Sequence, residues 1–382
     1  MGIQQETFNT PKEITHDFNE LARIAGDAAR IKPPLFFSSI FGKPSSWLPP
    51  YHPLSEYKII NIWRLPRTIQ YLLNITIPSI PLNPPSFGPP FLNSLFWRPS
   101  VILQRPDHNG SYTTFPKEAW FFINGILTND AVAQINAALI ASLFHRPVTL
   151  LQNSTSSLIT DLLECALGKQ WHRTTEAVEK AFPLIHQALK SEKEKVVVIA
   201  HSQGTIIASV VLQLLEALMQ PVSARPELAP FAAPRGYAGP VFIFPEEYDL
   251  DPQDFAAPTQ DELAKLEMYC FANCATTLKY LHPDRAVPWI ESFGNEFDIV
   301  ARLGMLAPRA QEWHVEIDGP RYVHRRAWGH LLNAHYLPDI ERQQKVRYRP
   351  GGKGGSAPYE LLNAGQFPDH TPQLFNYING GT

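Results

Sequence analysis

Val196-Val197-Val198-Ile199-Ala200-His201-Ser202-Gln203-Gly204-Thr205 runs an apolar segment straight into a serine and straight out into a second apolar segment. Four β-branched residues after the charged stretch Ser191 to Lys195 predict a buried strand. Thr205 to Leu215, apolar nearly all round, predicts a helix. Ser202 then falls on the sharp turn between them, its Oγ lifted above the edge of a sheet, with Gly204 leaving room for a closely approaching helix. Such a turn makes a serine reactive.

Working outward from this turn, the chain reads as a βαβ series. Ala119 to Ile123 predicts a strand, Ala131 to Phe144 a helix and Pro147 to Leu151 a second strand. Ser157 to Leu167 and Thr174 to Lys190 read as helices, and Asp261 to Leu266 as the start of another. Glu267 to Ala272, Val287 to Phe293 and Glu312 to Ile317 are further strand candidates, Pro240 to Phe244 is a strand or part of a cover, and Gly329 to Leu337 begins a last helix. The expected fold class is therefore α/β, a mostly parallel central sheet flanked by helices. The expected organisation is a proline-rich extension over 1–115 packed on the body, a core over 116–348 with a covering segment about 231–258, and a glycine-rich linker and tail over 349–382.

The chain has 382 residues, 44% of them hydrophobic, enough for a sizeable core. A net charge of -3, with no basic cluster, argues against a nucleic-acid surface. Three cysteines, Cys165, Cys270 and Cys274, make no disulfide framework. With the polar opening MGIQQETFNT, they point to a reducing, cytoplasmic setting. No run approaches the roughly 18 apolar residues of a transmembrane segment. Ile69 to Trp97 comes closest, but seven prolines from Pro78 to Pro99 break it. It reads as an extended arm over the body; a lid, or a rim making peripheral membrane contact, is the alternative. Oligomeric state is left open.

A serine needs a base within hydrogen-bond reach and the base an orienting carboxylate, and a strand–serine–helix turn implies the order serine, acid, histidine along the chain. Asp298 follows the strand candidate Val287 to Phe293 and is the preferred acid, with Glu296 the alternate and Glu291 a weaker competitor. His330, after Gly329 at the end of a loop, is the preferred base. His335, five residues on and unable to share its face of a straight helix, is the alternate base or a core histidine, and His324 reads as surface. The oxyanion formed on attack needs preorganised donors. The backbone N–H of Gln203 is one; the other comes from Asn124-Gly125-Ile126, with Ile126 preferred over Gly125 and the Asn124 side chain bracing the loop. His201 and Gln203 turn into the supporting shell. No HExxH or clustered Cys and His pattern suggests a metal, and no cofactor is implied.

Taken together these residues resemble the α/β-hydrolase family, in its lipase-like branch. The family's GxSxG elbow stands here as Ala200-His201-Ser202-Gln203-Gly204, with alanine for the first glycine, and its His-Gly oxyanion turn as Asn124-Gly125-Ile126. The resemblance covers Trp120 to Leu337, and AHSQGT with GHLLNAHYL is similar to lipase-like hydrolases of fungi and bacteria. It implies a serine hydrolase acting through an acyl-enzyme on a carboxylic ester of an apolar small molecule or lipid. Phe121, Phe122, Phe231, Tyr237, Phe242 and Phe244 offer aromatic surface for such a substrate. The same residues also suit a thioesterase, amidase, acyltransferase or cyclising enzyme. A catalytically silent scaffold that binds a ligand or partner is a third expectation.

Overall fold

The computed structural model describes residues 40–42, 48, 52–58, 117–125, 128, 130–152, 176–219, 255–307, 315–338, 340, 359–368 and 370–381. Ile126, the helix expected over 157–167, the strand expected over 240–244, the proline-broken arm over 69–97, and the aromatics Phe231, Tyr237, Phe242 and Phe244 lie outside these residues.

Strands β1 (Glu118–Ile123), β2 (Thr149–Leu151), β3 (Lys195–His201), β4 (Leu266–Phe271), β5 (Thr277–Leu278), β6 (Trp289–Asn295), β7 (Glu316–Ile317), β8 (Arg321–His324) and β9 (Tyr359–Leu361) are joined with helices α1 (Asp130–Phe144), α2 (Glu176–Lys190), α3 (Gly204–Met219) and the single turn α4 (Gln260–Leu263). The main sheet has the order β2-β1-β3-β4-β6-β8-β9, parallel except for β9, which pairs antiparallel with β8 at the edge. The protein is a mostly parallel α/β fold.

β3 explains why the fold follows from its sequence. Val196, Val198 and Ala200 face the layer made by α2 and α3, while Val197 and Ile199 face the layer made by α1. A strand covered on both sides has no polar face to show, hence the unbroken apolar run. Each such side chain taken from water contributes roughly 1.5–3 kcal/mol.

From β1 the chain passes to β2 on one side, then returns through α2 to β3 on the other. The order of strands reverses between β1 and β3, and open α/β sheets bind ligands at the carboxyl ends of strands flanking such a reversal. Ser202 follows β3 and Gly125 follows β1, so both stand there.

Three expectations are corrected. Of the candidate Glu312 to Ile317, only Glu316–Ile317 is a described strand, and it pairs with β5 in a separate two-stranded sheet. The strand beside β6 is Arg321–His324, so half-buried His324 belongs to the sheet. Finally, the helix expected from Asp261 to Leu266 is one turn, held by a Thr259–Glu262 capping box, before Leu266 enters β4.

The tail packs back over the amino ends of the strands. Glu291 on β6 accepts from the backbone N–H groups of Gln373 (2.6 Å) and Leu374 (3.3 Å). Glu267 on β4 accepts from Tyr269 (2.7 Å), Tyr377 (2.6 Å) and the Gln373 amide (2.9 Å). Farther along, buried Arg146 pairs with Glu118 at 2.7 Å and donates to the Gly381 carbonyl at 2.8 Å. Buried charges persist only with such partners.

Candidate active site

Ser202 occupies the turn between β3 and α3 with φ +57°, a conformation that ordinary side chains adopt at a cost of roughly 1–2 kcal/mol. The surroundings hold it there. Its N–H donates to the Phe271 carbonyl at 2.9 Å, and its carbonyl accepts from the Thr205 N–H (2.8 Å) and the Thr205 hydroxyl (2.7 Å). Thr205 Oγ1 in turn accepts from the Cys274 N–H at 3.1 Å, tying α3 to the loop after β4.

Two glycines let neighbouring elements close on the serine. A Cβ on Gly204 would stand 2.3 Å from the Ile123 carbonyl oxygen, and one on Gly125 would stand 2.2 Å from Ser202 Cβ and 2.9 Å from its Oγ. α3 therefore starts against the end of β1, and the loop leaving β1 lies directly on the serine. Buried Asn124 donates its amide to the Gly125 carbonyl at 3.1 Å, bracing that loop as expected. Gln203 is buried one residue past Ser202, at the start of α3.

Asp298 is fully buried beyond the carboxyl end of β6 and spends both oxygens. Oδ1 accepts from the Val300 N–H at 2.9 Å; Oδ2 accepts from His330 Nδ1 at 2.8 Å and from the Tyr336 hydroxyl at 2.6 Å. With Nδ1 as donor, a neutral His330 ring presents Nε2 as an acceptor. His330 Nε2, Ser202 Oγ and His201 Nδ1 are buried without a hydrogen-bond partner. Buried polar atoms are nearly always bonded, so three bare ones on adjoining residues call for an explanation.

The backbone around His330 is clamped from four directions. The His330 N–H donates to the Ile40 carbonyl (2.8 Å), and its carbonyl accepts from His201 Nε2 (2.8 Å). Asn295 Nδ2 reaches the Gly329 carbonyl (2.9 Å), and the Leu331 N–H donates to His335 Nδ1 (3.0 Å). The His201 and His330 rings lie 4.7 Å apart. Burial drives His201 well below its ordinary value, so it stays neutral and serves the backbone, the supporting position expected of it.

His335 and Glu296, the alternates, are engaged elsewhere. With Nδ1 accepting from Leu331, the His335 ring donates through Nε2 to the Tyr57 hydroxyl (2.9 Å), which donates to the Phe41 carbonyl. Burial lowers His335 to about 4. Half-exposed Glu296 bonds Arg325 (3.3 Å) and the Arg326 N–H (2.6 Å). Glu291, the weaker competitor, is at the opposite end of β6, holding the tail. The helix expected from Gly329 begins only at Leu332, as a wide π turn over Leu332–Tyr336, which leaves His330 in the loop before it.

Sequence reasoning missed Tyr336 and Glu56. Tyr336 sits six residues past His330 among apolar neighbours, a position that also fits a core aromatic. Phe121 and Phe122 are spent in the two core layers rather than at the site. Half-exposed Phe297 and Trp328, stacked at 4.4 Å and next in sequence to Asp298 and Gly329, supply apolar surface there instead. Among the described residues no set of three His, Cys, Asp or Glu side chains is placed to hold a metal, and no helix is long and apolar enough to cross a membrane.

No protein-family model matches the chain, nor does any curated protein sequence or solved structure. The class defined above, a mostly parallel α/β fold, thus stands on the sheet itself.

Proposed function

We propose that the chain is a serine hydrolase of the α/β-hydrolase type, with Ser202 as nucleophile, His330 as base and Asp298 as the acid that orients it. One observation carries the reading: His330 is bonded through Nδ1 to buried Asp298, while its Nε2 and the Ser202 Oγ are buried and bare. That is the state of a base and a nucleophile awaiting a third participant, since such bonds are often loose until substrate is bound. The +57° turn at Ser202 and the chain order serine, acid, histidine add support.

In this reading Ser202 Oγ attacks an ester carbonyl as His330 Nε2 takes its proton, forming a C–O bond to the serine and an oxyanion. The Gln203 N–H and a donor in the loop at Gly125 and Ile126 meet that charge. Collapse expels the alcohol, which receives the proton from His330 and leaves an acyl-serine. His330 then deprotonates a water that attacks the acyl group, and the second collapse returns the proton to Ser202 and frees the acid. Asp298 stabilises the imidazolium in both steps, and Tyr336 fixes Asp298.

The substrate assigned is a carboxylic ester of an apolar small molecule or lipid, a class supported by the Phe297–Trp328 surface beside the acid and the base. A panel of esters of graded acyl length tests it. Turnover by the wild-type protein, lost in Ser202→Ala, is the expected result; equal turnover by Ser202→Ala would overturn it.

A further inference from the structure

A carboxylate from outside the expected core reaches the histidine loop. Glu56, on the short turn Glu56–Lys58 of the N-terminal extension, is 1% exposed. Its Oε1 accepts from the Asn333 N–H at 3.1 Å and its Oε2 from the Ala334 N–H at 2.9 Å. The Asn136 amide on α1, in the orientation its neighbours require, donates to Oε1 at 2.9 Å. Asn333 is itself pinned through Nδ2 to the Leu54 (2.8 Å) and Ile135 (2.9 Å) carbonyls. Glu56 thus accepts from orphan N–H groups that open the turn Leu332–Tyr336 and places its carboxyl at that turn's amino end.

The far end of this turn delivers Tyr336 to Asp298 Oδ2, the oxygen that also accepts from His330. One five-residue turn therefore runs from the Glu56 carboxylate to the Asp298 carboxylate. The extension also holds His330 itself, whose N–H donates to the Ile40 carbonyl, and the same turn a second time through Tyr57, which bonds His335.

We propose that Glu56 is a positioning residue of the Ser202 centre, fixing through the 332–336 turn the Tyr336–Asp298–His330 chain that readies the base. This assignment rests on the reading of Ser202 as nucleophile. Among the described residues the titratable groups around Glu56 are its chain neighbour Tyr57, His335, which Tyr57 contacts, and His330; α1 contributes the neutral Asn136. Burial raises the Glu56 carboxyl to about 7, against the pull of the backbone donors and His330. Glu56 accordingly carries its charge above that pH and is neutral below it.

The experiment is the rate at which a fluorophosphonate labels Ser202, followed from pH 5 to 9, in the wild type and in Glu56→Gln, with melting temperatures measured alongside. Glu56→Gln keeps one acceptor and removes the charge. It is expected to label about tenfold more slowly at its best pH and to lose the step in rate that the wild type shows as Glu56 ionises near pH 7. A purely structural role would lower the melting temperature and leave the shape of the pH profile in place. If Glu56→Gln does not fold, Glu56→Asp, which keeps the ionisable carboxyl but cannot span both N–H groups, is expected to be slower and to keep the step. A labelled wild type with equal rates and profiles in the variants overturns the assignment of Glu56 alone. A wild type that is not labelled at Ser202 overturns it together with the reading beneath it.

Discussion

Tyr336 donates its hydroxyl, at 2.6 Å, to the same Asp298 oxygen that receives the His330 ring. Burial, reinforced by the Asp298 charge, holds the phenol well above its ordinary value, so it remains a donor. Tyr336→Phe keeps the packing and removes that bond. It should cost about 1.5–3 kcal/mol of stability, as for a hydrogen bond to a charged group, and slow Ser202 labelling roughly tenfold through a less fixed His330. Denaturant titration and labelling kinetics read the two effects; a variant unchanged in rate would remove Tyr336 from the proposed machinery.

Gly125 and Gly204 should fail differently when given a side chain. The Cβ of Gly204→Ala meets the Ile123 carbonyl, and forcing α3 off β1 should cost about 1–3 kcal/mol in denaturant stability. The Cβ of Gly125→Ala meets Ser202 itself and crowds the loop proposed to meet the oxyanion, so labelling should fall about a hundredfold or more. Gly365→Ala, with nothing within 4 Å of its Cβ, is expected to match the wild type in both measurements.

The tail makes stability depend on pH. Burial pushes the Glu291 carboxyl up to about 8 from an ordinary 4.5. Between those values the folded chain keeps a proton that the unfolded chain has released, so stability falls as pH rises through the window, by at most about 1.4 kcal/mol per unit. Glu291→Gln, permanently neutral, should therefore lose less stability than the wild type between pH 5 and 8. Urea midpoints that move in parallel for the two proteins would show that Glu291 does not set this dependence.

Arg146 ties the other end of the tail. Arg146→Met leaves partly exposed Glu118, which keeps its bond from Trp120, without its ion pair and frees the Gly381 carbonyl, which should cost about 1.5–3 kcal/mol. Adding Glu118→Gln should recover part of that loss. Hydrogen exchange over 373–381 should quicken in the single variant ahead of the rest of the fold.

β3 and the turn after it were legible because a strand buried on both faces, a serine and a glycine at one junction leave a continuous local pattern. The site extended from it by chain order: Asp298 and His330, expected from the loops they occupy, are the pair found bonded at 2.8 Å. What was missed lacks a local signature. β8 shows two apolar residues, Tyr322 and Val323, between charged or polar neighbours, and β9, at the sheet edge, joins only after a glycine-rich stretch; strands this short take their stability from their partners. Nothing beside Glu56, Glu267 or Glu291 in the sequence marks it as buried, and only the donors brought to them from distant segments explain why they are.

The central claim is that Ser202 is a nucleophile activated by His330. Its most direct measurement is fluorophosphonate labelling of the folded protein, with the adduct located by mass spectrometry, in the wild type and in His330→Ala and His335→Ala. The account predicts an adduct on Ser202 in the wild type, a loss of rate by about two orders of magnitude or more in His330→Ala, and retention of most of the rate in His335→Ala. A folded wild type without an adduct on Ser202, or a His335→Ala variant that loses labelling while His330→Ala keeps it, would contradict it.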